Sequence, residues 1–300
     1  MLLVIFECDN QALPDSADRV RRFRQLHEAG CFVIPNPWDI GSARVLVGLG
    51  FQALATTSSG FAWSAGRRDA QSTREQTLAH FRALTESVPV PVNGDFRGGF
   101  ATDPEEVDDN VALALGTGLA GISIEDATGD PASPLFDFPL AVERIRAARR
   151  AIDESGTAVL LTGRSEGFIA GRPDLGETIR RLQAFAEAGA ECLYAPGIRT
   201  REDVVAVVKA VAPRPVNVLV HGDFTTVAEM ADAGVRRISV GGALARAAWT
   251  GFLEAAREIA ERGTFSTLAR NVTGQEMEKR IDPTLSNEEE ASRGGRSSKV

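Results

Sequence analysis

Val90-Pro-Val-Asn-Gly-Asp95, the Asp103-Pro104 pair, and Gly121-Ile-Ser-Ile-Glu-Asp126 spell one strand–helix–strand unit within residues 90–126. Both outer runs are short, rich in Val and Ile, and bounded by polar residues, as buried strands are. Asp103 offers a side-chain acceptor ahead of Pro104, the pairing that starts a helix. The same unit recurs along the chain. Apolar runs stand at Phe32–Pro37, Ala53–Ser59, Val90–Asp95, Gly121–Asp126, Ala158–Arg164, Cys192–Gly197, Pro215–Val220 and Arg237–Gly242. Their starts lie 21, 37, 31, 37, 34, 23 and 22 residues apart, room for one helix each time. Ser72-Thr-Arg-Glu75 and Thr226-Val-Ala-Glu229 read as capping boxes, and Gly30, Gly50, Gly189 and Gly234 as helix ends.

Eight such units predict an α/β protein, a (β/α)8 TIM barrel. A doubly wound sheet is the rival, but it favours a Gly-rich turn after its first strand, where this chain has Asn36-Pro-Trp-Asp39. The barrel is expected over residues 18–270, with a loosely ordered extension at 1–17 and a disordered polar tail at 271–300.

Composition excludes several classes. Of 300 residues, 43% are hydrophobic and 25% charged, with a formal net charge of −8. An acidic chain does not attract nucleic acid or an anionic membrane surface, and no apolar run approaches the ~20 residues of a membrane span. Cys8, Cys31 and Cys192 form no CxxC pair, so neither a disulfide scaffold nor a Cys-rich zinc site is expected, and the usage fits the cytoplasm. Lys209, Lys279 and Lys299 are the only lysines, and none sits in a candidate strand, which argues against imine chemistry.

Strand side chains alternate, so parity separates barrel interior from the face under the helices. Asn93 with Asp95, Ser123 with Glu125, Thr162 with Arg164, and Asn217 with His221 each share one parity. These polar residues crowd the C-terminal strand ends, where barrel active sites lie. Asp95 and Glu125 fit either a salt-bridged structural role or an acid/base or metal role, and Arg164 either neutralises them or clamps a substrate carboxylate. His221 is a loop histidine or a substrate-binding one, and Asn217 is a substrate-binding candidate. Gly241-Gly242 serves an anion or close packing equally well. Trp38, Trp63 and Trp249 read as packing residues; Cys31 and Cys192, at the opposite strand ends, as structural.

Thr57-Ser-Ser-Gly-Phe61 with Gly66-Arg-Arg-Asp69, Val92-Asn-Gly-Asp-Phe-Arg-Gly-Gly-Phe100, Gly121–Asp126, and Leu161-Thr-Gly-Arg-Ser-Glu166 occur in an order that resembles the isocitrate lyase/phosphoenolpyruvate mutase superfamily, closest to its phosphonomutase-like branch. The resemblance runs over about residues 20–270. It implies a lyase or hydrolase acting on a small α-oxo or 2-hydroxy carboxylate, or a phosphonate, through an enolate. By motif, Ser59 and Gly60 would hold the oxygens of an oxo acid. Asp95 would ligate Mg²⁺ directly, with Asp69 and Glu125 on metal-bound waters, and Arg164 would hold the substrate carboxylate; Asp69, Glu125 and Arg164 form the catalytic set.

Three departures qualify the resemblance. Arg97 stands where the metal motif carries a second carboxylate, a cation that would repel Mg²⁺ or pair with Asp95 or Asp69. The loop Asp126-Ala-Thr-Gly-Asp-Pro-Ala-Ser-Pro134 lacks the Cys, Lys and His of the lyases, and Ala195-Pro196-Gly197 replaces their glutamate. The alternative reading is therefore a metabolite-binding barrel without metal chemistry. The segment Thr128–Asp137 is the expected lid. A wide apolar stripe over residues 243–262, with Leu244, Trp249, Phe252, Leu253 and Ile259, predicts a homodimer or homotetramer with a swapped eighth helix, as the superfamily's members commonly have.

Overall fold

The computed structural model describes residues 15–282. Eight parallel strands alternate with helices: β1 (Phe32–Ile34), β2 (Leu54–Ala55), β3 (Val92–Asp95), β4 (Gly121–Glu125), β5 (Leu160–Arg164), β6 (Cys192–Tyr194), β7 (Val216–Leu219) and β8 (Arg237–Ser239). The ladder runs β1-β8-β7-β6-β5-β4-β3-β2. The remaining gap is bridged where the Ala55 N–H donates to the Pro35 carbonyl at 3.0 Å. This is the expected (β/α)8 barrel.

The helices are α1 (Ser16–Leu26), α2 (Ile40–Gly48), α3 (Ser58–Ser64), α4 (Arg74–Thr85), α5 (Pro104–Leu115), α6 (Phe138–Ser155), α7 (Leu175–Glu187), α8 (Arg201–Val211), α9 (Val227–Asp232), α10 (Ala243–Arg262) and α11 (Gly274–Ile281). Asp103 caps α5 through the Glu105 N–H at 2.8 Å, with Pro104 in the first turn, and the Thr226–Glu229 box caps α9. The box before α4 is one residue later than its sequence reading: Thr73 pairs with Gln76, and Ser72 is buried. Both registers place a hydroxyl three residues before a side-chain amide or acid, so the motif alone does not choose between them.

The interior parity is as read. A Cβ on Gly94 would stand 2.7 Å from Leu119 and 2.9 Å from Phe81, so that parity faces the helices and leaves Asn93 and Asp95 inside. α1 opens at Ser16, inside the segment expected to be loosely ordered, and its Phe23 is fully buried in the core. Residues 271–282 of the expected polar tail also depart from that reading, because Thr273 accepts the Glu276 N–H at 3.1 Å and opens α11, which rests on α2. The expected extension at 1–14 and the tail at 283–300 lie outside the described residues. Within those residues no helix is long and apolar enough to cross a membrane.

Candidate active site

A cavity of about 180 Å³ sits inside the barrel, lined by Asn93, Asp95, Ser123, Arg164, Tyr194, Asn217, Arg237 and Ser239 from the strands. Ser59 and Asp69, from the connection after β2, complete the wall with Gly241 and Gly242 ahead of α10. Asp95, Arg164 and Tyr194 are each the last residue of their strand, so the chemistry gathers at the C-terminal rim.

Arg164 organises the charge. Its Nε binds Glu166, while Nη1 stands 3.4 Å from Asp95 and 3.3 Å from Glu125. The guanidinium also lies 5.2 Å from the centre of the Tyr194 ring. Burial alone would depress an arginine, yet Glu166 and Glu125 outweigh it and hold Arg164 well above its ordinary value. Three carboxylates cannot all be matched by one buried cation. Burial pushes Glu125 up to about 8 despite Arg164, with Glu166, Asp95 and Asp126 adding to the rise. Glu125 therefore carries a proton at neutral pH. Burial likewise raises Glu166 and Asp126, the latter eased by the Glu166 N–H and by Arg181. Asp95 is positioned from behind: its own N–H donates to Thr56 Oγ1 at 2.8 Å, and its Oδ2 accepts the Ser58 N–H at 3.1 Å.

Arg97 follows Asp95 by two residues and binds Asp69 at 2.9 Å. Its backbone is left-handed, with φ 51°, which costs a non-glycine residue roughly 1 kcal/mol or more. The loop is held nonetheless: the Arg97 carbonyl accepts the Glu125 N–H at 2.9 Å, and the buried Arg144 of α6 donates to the carbonyls of Gly98, Ala101 and Thr102.

The carboxylates expected to hold Mg²⁺ do not fit that ion as they stand. A hard dication takes anionic oxygens in near-octahedral array at about 2.1 Å. Asp69 is engaged by Arg97, Asp95 by Arg164 and the Ser58 N–H, and Glu125 by Arg164. Among the described residues no group of three Asp, Glu, His or Cys side chains is placed to bind a metal.

The other candidates divide. Ser59 lines the cavity, 3.2 Å from Thr57 Oγ1. Gly60 does not: it is buried, its N–H points to Thr57 Oγ1 at 3.4 Å, and a Cβ there would stand 2.7 Å from Thr57 and 3.0 Å from Trp38. Its glycine serves packing between α3 and α10. Asn217 lines the cavity while its amide binds Ser239 at 2.9 Å and Arg237 at 2.8 Å. His221 is absent from the lining and pairs instead with Arg199 at 3.0 Å; burial, Arg199 and Arg246 all disfavour its charged form. The N–H groups of Val240 and Gly241 are both taken by Asn36 Oδ1, so that turn is tied to β1's connection. Sequence reading passed over Glu166, Tyr194, Arg237 and Ser239. The alternation Arg237-Ile238-Ser239 was the available signal for the last two.

The structure is a TIM barrel with an arginine–carboxylate cluster at its C-terminal rim, the end where barrel enzymes carry their active sites. The phosphoenolpyruvate phosphomutase family model matches residues 23–260, and the chain belongs to that family, within the PEP mutase/isocitrate lyase superfamily. A Burkholderia cenocepacia structure with a provisional lyase/mutase label is 43% identical, covers 88% of this chain and 96% of its own, and superposes with a TM-score of 0.86. An uncharacterised Mycobacterium tuberculosis protein is 32% identical over 86% of this chain and 95% of its own. The oxaloacetate decarboxylase of Paraburkholderia xenovorans is 30% identical over 64% of this chain and 65% of its own.

Proposed function

We propose that the chain is a lyase that cleaves a C–C or P–C bond in a small α-oxo or 2-hydroxy acid through an enolate. The observation that carries this reading is the Arg164 cluster, in which one guanidinium faces a small cavity with Asp95 in the same wall and Glu125 packed behind. Arg164 holds the substrate carboxylate, for which a planar guanidinium is the best-matched donor. Asp69 takes the proton of a 2-hydroxy substrate, where the substrate has one. In a 2-oxo acid, cleavage leaves the bond's electron pair on the carbon beside the oxo group as an enolate and releases carbon dioxide, or a phosphoryl group that water accepts. In a 2-hydroxy acid the deprotonated hydroxyl carbon becomes the oxo acid, and the pair stays on the other fragment as the enolate of its carboxylate. Arg164 offsets the charge in either case. The enolate carbon then takes its proton from Asp69, where a 2-hydroxy substrate has loaded it, or from water, while Glu125 lies behind Arg164 outside the cavity wall and positions that guanidinium. Ser59 Oγ lies on the same wall and donates to the enolate oxygen. The related oxaloacetate decarboxylase supports a substrate of this size.

The test is release of pyruvate or another oxo acid from oxaloacetate, malate-type and phosphonate substrates, with Arg164→Met as control. Turnover of one class, lost in the variant, supports the reading. Binding of these acids without turnover overturns it in favour of a metabolite-binding barrel, the reading that the Arg97–Asp69 pair favours.

A further inference from the structure

We infer that Arg237 forms a second anion subsite deeper in the cavity than Arg164, so that the pocket selects small acids carrying two anionic groups. This rests on the lyase reading only for where the first carboxylate binds.

Arg237 opens β8, and its side chain points into the barrel and lines the cavity although the residue is only 3% exposed. Its bonds go to Asn217 Oδ1 at 2.8 Å, Thr162 Oγ1 at 3.0 Å and His27 Nε2 at 3.3 Å. All three partners are neutral. His27 Nδ1 stands 2.7 Å from the Phe23 carbonyl, which can only accept, so the ring proton is on Nδ1 and Nε2 accepts from Arg237. Burial, and then Arg237 itself, push His27 down to about 3, so this imidazole stays uncharged. The cavity's carboxylates gather on Arg164 instead: Asp95, Glu125 and Glu166 all contact it. Arg237 is thus a buried cation held by dipoles, without a carboxylate partner among the described residues, a costly arrangement that a bound anion relieves. Three of the five N–H donors of a guanidinium are used, which leaves two for a ligand.

A second observation on the same cavity agrees. Asn93 is 4% exposed, lines the cavity, and its Oδ1 is buried without a hydrogen-bond partner. Its Nδ2 donates to the Gly94 carbonyl at 3.4 Å, so among the described residues Oδ1 is left to accept from a hydroxyl or protonated acid oxygen of what enters. A volume of about 180 Å³ admits a short acid and excludes a large one. Contacts set the depth. The Arg237 guanidinium reaches Thr162, two residues before Arg164 on β5, and His27 at the end of α1, whereas Arg164 ends β5 at the rim. An acid that meets both must span the barrel along its axis.

The experiment is calorimetric titration, at fixed ionic strength, of oxalate, malonate, succinate, glutarate and adipate, with butyrate as the monoanion of succinate's length and phosphonoacetate beside malonate. Wild type should show an optimum at one chain length and bind the best dianion about tenfold or more tighter than its monoanion. Arg237→Met should bring that ratio to about one, and Arg237→Lys should keep part of it. A ratio unchanged in Arg237→Met, or a wild type without preference for dianions, overturns the subsite. If Arg237→Met fails to fold, the length series on wild type and Arg237→Lys decides, and a flat series is the contrary result. The malonate and phosphonoacetate arms tell carboxylate from phosphonate as the inner group. Since binding is read without turnover, an inactive protein that keeps the dianion preference sinks the lyase reading and leaves the subsite standing.

Discussion

Arg97 Nη2 lies 2.9 Å from Asp69 Oδ1, joining the loop after β3 to the segment after α3 at the cavity's edge. Asp69 is half exposed, so the pair is worth only about 1 kcal/mol or less to stability. Its consequence is chemical: a fixed cation stands where a dication would need an anion.

Arg97→Glu should therefore create metal affinity. Wild type is expected to show no saturable Mg²⁺ binding in calorimetry up to roughly 5 mM, and the variant to bind in the millimolar range or tighter. Catalysis by wild type should survive chelator. Saturable binding of Mg²⁺ by wild type would refute the assignment.

Glu125 makes stability fall with rising pH. Its folded value near 8 lies above the ordinary 4.5, so the folded state keeps a proton that the unfolded state releases. That contribution is complete below about pH 4.5 and is lost as pH climbs through 8, with a slope of at most about 1.4 kcal/mol per pH unit. Denaturant unfolding of wild type between those limits should show the decline, and Glu125→Gln should flatten it. Equal slopes in both proteins would show that another group holds the proton.

The barrel was legible because its signal is periodic and repeated eight times, each run followed by cap and helix residues. Much of the cavity wall was legible for the same reason: of the residues that parity along β3, β4, β5 and β7 singled out, Asn93, Asp95, Ser123, Arg164 and Asn217 line the cavity, whereas Glu125 and Thr162 do not. His221 escaped the rule because it lies two residues beyond Leu219, where the ladder ends and alternation no longer constrains direction. Arg237 was missed because arginine in an apolar run reads as an edge charge. Only the neutral partners around it, contributed by α1, β5 and β7, show that it is an interior cation. The α11 helix was obscured by its composition, since Met277 and Ile281 are the few apolar residues that its eight positions offer.

The loop between β4 and α6 is fastened at its base and free at its tip. Ala127 and Leu135 form an antiparallel bridge, the Thr128 N–H donates to the Pro134 carbonyl at 3.0 Å, and residues 129–133 are exposed. Below the bridge, the Phe136 N–H reaches the Asp126 carbonyl at 2.9 Å, and the Phe136 carbonyl accepts from Arg181 at 3.0 Å. Removing Thr128–Ser133 should leave these lower bonds and shift the Tm by no more than about 2 °C. Turnover should drop roughly tenfold to a hundredfold if the tip excludes water during the reaction. A large fall in Tm with unchanged turnover would make the tip part of the core instead.

The last prediction concerns α10, whose large apolar residues are left exposed among the described residues. Of its 20 positions only Ala245 and Glu258 are buried, whereas α6 buries eight of 18. Phe252 is 60% exposed, Leu253 43% and Trp249 37%, with the Trp249 and Phe252 rings edge-on at 5.4 Å. The first turn is seated, since Ala245 lies against the position of Gly60, and Glu258 anchors the chain beyond the helix through Ser266 and Thr267. Between these points the stripe is bare among the described residues, and contiguous apolar patches of this kind mark interfaces. The partner we propose is the same surface of a second copy, because an isologous contact buries two such stripes at once. Light scattering at micromolar concentration should return a dimer or a tetramer of the 32.0 kDa chain. Phe252→Glu, which places a charge in the middle of the stripe, should shift the population toward monomer without lowering helical content. A wild-type monomer under these conditions would rule the assembly out.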